Sequence, residues 1–262
     1  MRMISDTEEL KAVEYDIMRY IKRLCEENHL MLFLGGGTLL GAIRHHGFIP
    51  WDDDVDLMLP RKDYDKLIRL IGEDNGPYSV SCLQNDPMFF YPYARVNDTR
   101  TRLREECHIP YENEGINVEL FPLDGIPRKA PAVRFLFAFA KRYMTFFDAL
   151  NHTNRYENAE GIGYRMMVKI LRLSSLLMDF VASRCRWEHS GYVACVVGMY
   201  GEKEIVPRRT MEKAVNVRFE DEDFPAPAGY RLYLTKHYGD YMKLPPKSKQ
   251  VTGHRFKAWY TD

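Results

Sequence analysis

Apolar positions set the order of elements along this chain. Leu10, Val13, Ile17, Ile21 and Leu24 recur at helical spacing, so residues 6–28 read as an amphipathic helix, with Ser5 and Glu8 spaced as in a capping box. Met31-Leu32-Phe33-Leu34 is a short apolar run of strand type, stopped by Gly35, Gly36 and Gly37. Thr38 then leads Leu39, Leu40, Ala42 and Ile43, which predicts a short helix capped by Thr38 or Gly37. Val55, Leu57 and Leu59 alternate with polar positions and predict a strand over 54–59. Pro60 opens a second helix, Arg61 to Leu70, that packs Tyr64, Leu67, Ile68 and Ile71. Residues 77–83, 89–96, 100–105 and 115–121 read as short strands separated by Gly, Pro, Asn and Asp. From Pro131 the period turns helical, over Val133 to Leu150 and again over Tyr164 to Cys185. The order predicts an α+β fold, a mixed sheet flanked by helices with a helical insertion. Its expected parts are a core with the N-terminal helix (1–127), the insertion (128–190) and a C-terminal segment completing the active site (191–262).

The 262 residues suffice for one full core, and Lys plus Arg balance Asp plus Glu, so no global field favours nucleic acid. The balance is uneven along the chain. Residues 128–187 hold eleven Lys or Arg against four Asp or Glu. Lys141-Arg142 and Arg165, Lys169 and Arg172 cut the apolar runs well below the ~20 residues a bilayer span needs. Two readings remain for these basic helices: peripheral contact with an anionic membrane face, or a helical lid with a solvated basic side. Five scattered cysteines without a C-x-x-C pair, and a start lacking a signal peptide's apolar stretch, predict a reducing, cytoplasmic setting.

The candidate chemistry lies in Trp51-Asp52-Asp53-Asp54-Val55-Asp56. Adjacent ionised acids repel unless a cation compensates. On a strand, Asp54 and Asp56 share one face, about 7 Å apart along the chain, and Asp53 points away and is dispensable. Such a pair suits Mg²⁺ or Mn²⁺, with Asp52 as auxiliary ligand. An EF-hand is excluded, because Leu57 stands where that loop needs glycine. Upstream, Gly36, Gly37 and Thr38 at a helix start would offer backbone N–H groups and a hydroxyl to phosphate. In Gly115-Ile116-Asn117-Val118-Glu119-Leu120-Phe121, Glu119 is either a third ligand or an acid at a solvated strand edge. Arg44, His45 and His46 follow the short helix, in reach of phosphate or simply solvated. Lys247, Lys249 and His254 either cover the phosphates or belong to a surface tail.

A glycine-led helix start followed by Asp-x-Asp on the next strand is similar to the DNA polymerase β-like nucleotidyltransferase superfamily. Within it the chain resembles the LicD family of phosphocholine transferases, with fukutin-type ribitol-phosphate transferases as distant relatives. The resemblance is carried by Gly37-Thr38-Leu39-Leu40-Gly41-Ala42-Ile43-Arg44-His45, by Gly47 to Asp56, by Arg61, Asp63 and Tyr64, by Phe121-Pro122-Leu123-Asp124-Gly125, and by Tyr238-Gly239-Asp240-Tyr241-Met242 with Leu244-Pro245-Pro246. It implies transfer of phosphocholine from a CDP-linked donor, CDP-choline above all, to a hydroxyl of a cell-surface glycan or its lipid-linked precursor. Asp54, Asp56 and Glu119 would then be the metal-binding catalytic acids, with Glu119 standing where the family has Asp and slightly altering the metal geometry. Gly36, Gly37, Thr38, Arg44 and Trp51 would bind substrate. A quaternary ammonium needs aromatic faces, for which Trp51, Tyr91, Tyr93 and Tyr111 are candidates. Two other functions use the same scaffold: a nucleotidyltransferase that leaves the nucleotide on its acceptor, and a non-catalytic nucleotide- or glycan-binding protein.

Overall fold

In the computed structural model the described residues are 2–4, 6–105, 108–111, 113–151, 161–251 and 256–261. The chain runs β1 (Arg2–Ile4), α1 (Thr7–Glu27), β2 (Phe33–Leu34), α2 (Gly36–His45), β3 (Asp56–Pro60), α3 (Arg61–Glu73), β4 (Tyr78–Ser81), β5 (Ala94–Asp98), β6 (Thr101–Glu105) and β7 (Asn117–Gly125). It continues with α4 (Ala130–Asn151), α5 (Gly161–Ala182), β8 (Tyr192–Ala194), β9 (Val206–Pro207), β10 (Ala214–Phe219), β11 (Glu222–Pro227), α6 (Tyr230–Tyr238) and β12 (Phe256–Tyr260).

The main sheet has the order β2-β3-β7-β5-β4, and the end of β7 also pairs with β8, which pairs with β9. The β3–β7 ladder is parallel and the others are antiparallel, so the sheet is mixed, as the element order predicts. Its buried rows follow from alternation: Leu57 is opposite Leu120, and Ala94 is opposite Leu120 from the other side, all fully buried. Helices α1 and α3 pack against these strands. A smaller antiparallel sheet, β1-β12-β6, joins the two ends of the chain, and β10–β11 is a hairpin turned by Glu220 at φ 54°.

The helices differ from expectation mainly at their starts. The cap of α1 is Asp6, whose Oδ1 accepts the Glu8 N–H at 3.1 Å; Ser5 lies outside the described residues. The cap of α2 is Gly35, neither Gly37 nor Thr38. The strand expected over 89–96 begins only at Ala94. Pro92, which has no N–H to give a ladder, stands within that stretch, and Phe89, Phe90 and Tyr91 fill the core from irregular backbone.

Helices α4 and α5 bury Phe137, Tyr143 and Phe147 against Tyr164, Leu171 and Met178. Helix α5 is also tied by hydrogen bonds to the irregular segment between β4 and β5. Arg172 gives three hydrogen bonds, to the carbonyls of Leu83, Asp86 and Phe89 at 2.6–2.9 Å, and Ser175 Oγ donates to the Phe90 carbonyl. Arg172 is therefore a structural tether, where its sequence position reads as part of a basic face. None of the described helices is long and apolar enough to cross a membrane.

Candidate active site

The parallel register of β3 and β7 sets Asp56 opposite Glu119, and the antiparallel register of β7 and β5 sets Glu119 opposite Arg95. One row across three strands therefore reads Asp56, Glu119, Arg95 on a single sheet face. Two positions along, Met58 and Phe121 continue that face and line a cleft of about 1260 Å³ together with Tyr93.

Asp54 precedes β3, which starts at Asp56, so the pair is not held by one regular strand. The turn before β3 brings Asp53 in as well. One carboxylate oxygen from each of Asp52, Asp53 and Asp54 lies within 4.8 Å of the others. Asp53 is buried and lines the cleft. This overturns the expectation that Asp53 points away: strict alternation does not apply to irregular backbone.

Glycines make room for these acids. Gly36 has φ +40°, and a Cβ there would strike Asp56 Oδ2; a Cβ on Gly37 would sit 2.6 Å from Asp52 Oδ2. The start of α2 thus faces two protein carboxylates, a favourable end of the helix dipole for negative charge. The Gly36 N–H donates to Tyr233 Oη at 3.4 Å, and Thr38 Oγ1 accepts the Asp56 N–H at 2.9 Å. The Thr38 hydroxyl oxygen thus anchors the first residue of β3. The glycines stand closer to the acids than a simple phosphate cradle would have them.

Burial and mutual repulsion raise the acids' pKa values. Asp52 is pushed up to about 7 by burial and then by Asp54. Asp56 is held well above the usual range by burial and then by Asp54, Glu119, Asp52 and Glu204. Glu119 is raised by burial, against which the Arg95 charge acts. Both Arg95 bonds to Glu119 go to Oε1, from Nε at 3.0 Å and Nη2 at 2.8 Å, and the same guanidinium meets Glu114 and Glu105 and stacks 4.0 Å from the Tyr91 ring centroid. Glu119 is therefore neither a solvated edge acid nor unpaired.

Sequence reading missed Arg95, Glu14 and Glu204. Glu14 lies four residues after Leu10 and three before Ile17, on the apolar stripe of α1; a charge at a core position was its signal. It is buried, its Oε2 has no hydrogen-bond partner, and burial followed by Asp54, Asp53 and Asp52 holds its pKa well up. Arg95 alternates with the buried Ala94 and Val96 on β5, an ordinary strand pattern that does not mark it as buried. Glu204, whose carboxylate lies 3.0 Å from His237 Nε2, ends a single 3-10 turn (Gly201–Glu204) too short for any periodicity to announce it.

Arg44 lines the cleft, with Nη1 on the Tyr241 carbonyl at 3.1 Å and Nε on His45 at 3.0 Å; burial lowers its pKa. Trp51 lines the cleft and meets His45 edge-on at 5.8 Å. Tyr93 packs on Phe121 at 4.5 Å. Tyr111 leaves the group: its hydroxyl donates to Asp86 and accepts from Ser81 Oγ beside a second, smaller cavity. Lys247 and Lys249 are exposed in a short turn, whereas Lys243, Pro245 and Pro246 line the cleft; His254 lies outside the described residues.

The donor set fits a hard divalent cation. Oxygen ligands converge, burial and mutual repulsion raise Asp52 and Asp56, and glycines hold space for them.

Residues 29–147 match the family described as LicD/FKTN/FKRP, nucleotidyltransferase domain. The lipopolysaccharide cholinephosphotransferase LicD of Haemophilus influenzae is 27% identical over 96% of this chain and 97% of its own length. The ribitol 5-phosphate transferase FKRP of human is 41% identical over 58 residues, 22% of this chain and 12% of that protein. An uncharacterised protein of Rickettsia prowazekii is 41% identical over 68 residues, 26% of each chain. The glycine turn, the acid cluster and Glu119 all fall inside residues 29–147, so the part of the chain that is similar to the LicD/FKTN/FKRP nucleotidyltransferase domain is the part that builds the cleft.

Proposed function

We propose that this enzyme transfers phosphocholine from CDP-choline, or a closely similar CDP-linked donor, to a hydroxyl of a glycan or lipid-linked glycan. The observation that carries the reading is the convergence of Asp52, Asp54, Asp56 and Glu119 on one cleft beside the glycine-led start of α2. The near full-length similarity to a cholinephosphotransferase supports the choice of head group. In this reading residues 1–127 are a polymerase β-like core, 128–190 an insertion, and 191–262 complete the cleft.

Asp54 and Asp56 would hold Mg²⁺ or Mn²⁺, with Asp52 auxiliary and Glu119 completing the set. The chemistry supplied there is Lewis-acid neutralisation of the donor's diphosphate. Arg44 adds a fixed positive charge for the phosphates. Trp51 and Tyr93 offer ring faces to the quaternary ammonium; Arg95 already occupies a face of Tyr91. Glu119 takes the acceptor's hydroxyl proton while Arg95 fixes its other oxygen. The acceptor oxygen forms the new bond to the choline-bearing phosphorus, the bond from that phosphorus to the bridging oxygen breaks, and CMP leaves with the electron pair.

Incubation of the purified protein with Mg²⁺, a glycan acceptor and CDP-, UDP- or ADP-linked donors tests this. CMP release with phosphocholine on the acceptor is expected. A nucleotide left on the acceptor would instead make the enzyme a nucleotidyltransferase. CDP-choline should also raise the melting temperature more than CMP does, with CDP-ethanolamine between them; equal shifts would eliminate the aromatic choline pocket.

A further inference from the structure

Helix α5 carries two apolar stripes where an ordinary surface helix carries one. Tyr164, Val168, Leu171, Met178 and Ala182 are buried against the protein. On the opposite side Ile162, Met166, Ile170, Leu173, Leu177 and Phe180 follow one another at steps of three or four residues, each between 43% and 80% exposed. Single exposed leucines are unremarkable, whereas six in one helical row make a contiguous patch that water does not favour.

Charge selects what covers the patch. Arg165 and Lys169 are exposed on α5, and Lys169 projects from the outer side itself, three residues after Met166 and four before Leu173. The only acid of α5, Asp179, is bound to Arg61 at 2.7 Å. On α4 the exposed charges include Arg134, Lys141 and Arg142. Against a second copy of α5, Lys169 would be buried among apolar side chains with no free carboxylate on the facing helix. Against a bilayer, its long stem lies along the apolar row and its ammonium rises to the headgroups.

We propose that the outer face of α5 is a docking surface for a bilayer bearing anionic lipid. Its apolar row enters the boundary between headgroups and acyl chains, and Arg165 and Lys169 sit at phosphate depth. The helix is held in place, because Arg172 and Ser175 tie its inner side to the loop between β4 and β5 and Asp179 ties it to Arg61 of α3. Docking would thereby fix the orientation of the cleft to the membrane plane. The proposal is independent of the reaction assigned to the cleft.

Flotation of the full chain with vesicles, without donor or acceptor, tests it. Vesicles of phosphatidylcholine mixed with phosphatidylglycerol should carry the protein up, phosphatidylcholine alone much less, and salt should weaken the binding only in part. The triple variant Leu173→Gln, Leu177→Gln, Phe180→Gln should lose at least about tenfold in partitioning at any salt, since each buried apolar group contributes additively. Arg165→Gln with Lys169→Gln should lose about tenfold or more on anionic vesicles only. Unchanged melting temperatures would show that both variants fold. Wild-type protein that stays unbound to anionic vesicles at low salt overturns the proposal. So does a concentration-dependent dimer that the triple variant abolishes while vesicle binding is unaffected, because the patch is then a self-association surface.

Discussion

The two ends of β7 handle negative charge in opposite ways. Near its C-terminal end Asp124 is buried and receives both Nε and Nη2 of Arg61, at 2.8 and 2.7 Å, while Nη1 of the same guanidinium reaches Asp179 on α5. Near its start, Glu119 stands beside Asp56, and the neighbouring charges that act most on Asp56 are all negative. The first cluster is completed within the protein and locks α3, β7 and α5 together. The second leaves repulsion stored in the fold. A protein of marginal stability keeps such repulsion only where something from outside relieves it.

Neutralising the acids gives the largest contrast between the two ends. Asp54→Asn or Asp56→Asn should reduce turnover to background while the metal-free melting temperature holds or rises by roughly 2–4 °C, the shift of about 1 kcal/mol in a chain of this size. Near-normal turnover in either variant would remove these acids from the site. Arg61→Met should do the reverse. It strands a buried carboxylate, with an expected loss of about 3–5 kcal/mol in denaturant unfolding. A loss under 1 kcal/mol would show that the Asp124 end is not a structural lock.

Gly36→Ala joins the two effects. Its Cβ meets Asp56 Oδ2 at a backbone φ of +40°, so both turnover and about 1–2 kcal/mol of stability should go. Gly72→Ala, with open space around it in α3, should be neutral or stabilising by about 0.5–1 kcal/mol. Equal behaviour of the two alanines in an activity and melting comparison would refute the crowding argument.

The smallest effect is in pH. A carboxyl whose folded pKa lies above its unfolded value binds more protons when folded, so stability falls as pH rises through that interval. For Asp52 the interval runs from the usual carboxylate range to about 7, and for Glu114 to about 8. Metal-free protein should therefore melt a few degrees lower at neutral pH than in mild acid. His45, whose pKa burial lowers, acts in the opposite sense but is one group against several. Asp52→Asn should flatten the slope; an identical slope in this variant would show that Asp52 does not titrate as described.

Periodicity reaches what regular backbone controls and stops where backbone turns. The stripe of α1 was legible because helical spacing dictates which side chains share a face, whereas the Asp56–Glu119 neighbourhood followed from the resemblance, since alternation does not say which strands pair. Asp53 was misassigned because its residue precedes the strand whose rule was applied to it. Glu14 is a charge at a core position of α1, Arg95 sits in the ordinary polar phase of its strand, and the partners either one meets depend on pairing between distant segments. Glu204 and Tyr233 come from the C-terminal third, where short elements carry too few residues for any period to form. Arg172 looked like one more surface charge, and its three carbonyl partners lie on a loop more than eighty residues away.

The small sheet β1-β12-β6 has a consequence for synthesis. Phe256 on β12 lines the cleft beside Leu103 and Glu105 of β6, and β12 lies between β6 and the chain's first strand. A ribosome that has made the glycine turn, the acid cluster and Glu119 has still not enclosed them. The wall closes only when Tyr260 emerges to pair with Arg2 and Thr101. The wall of the cleft that β12 supplies is thus the last of the described elements to form, and opening that one strand would expose Glu105 and the cleft beside it to solvent.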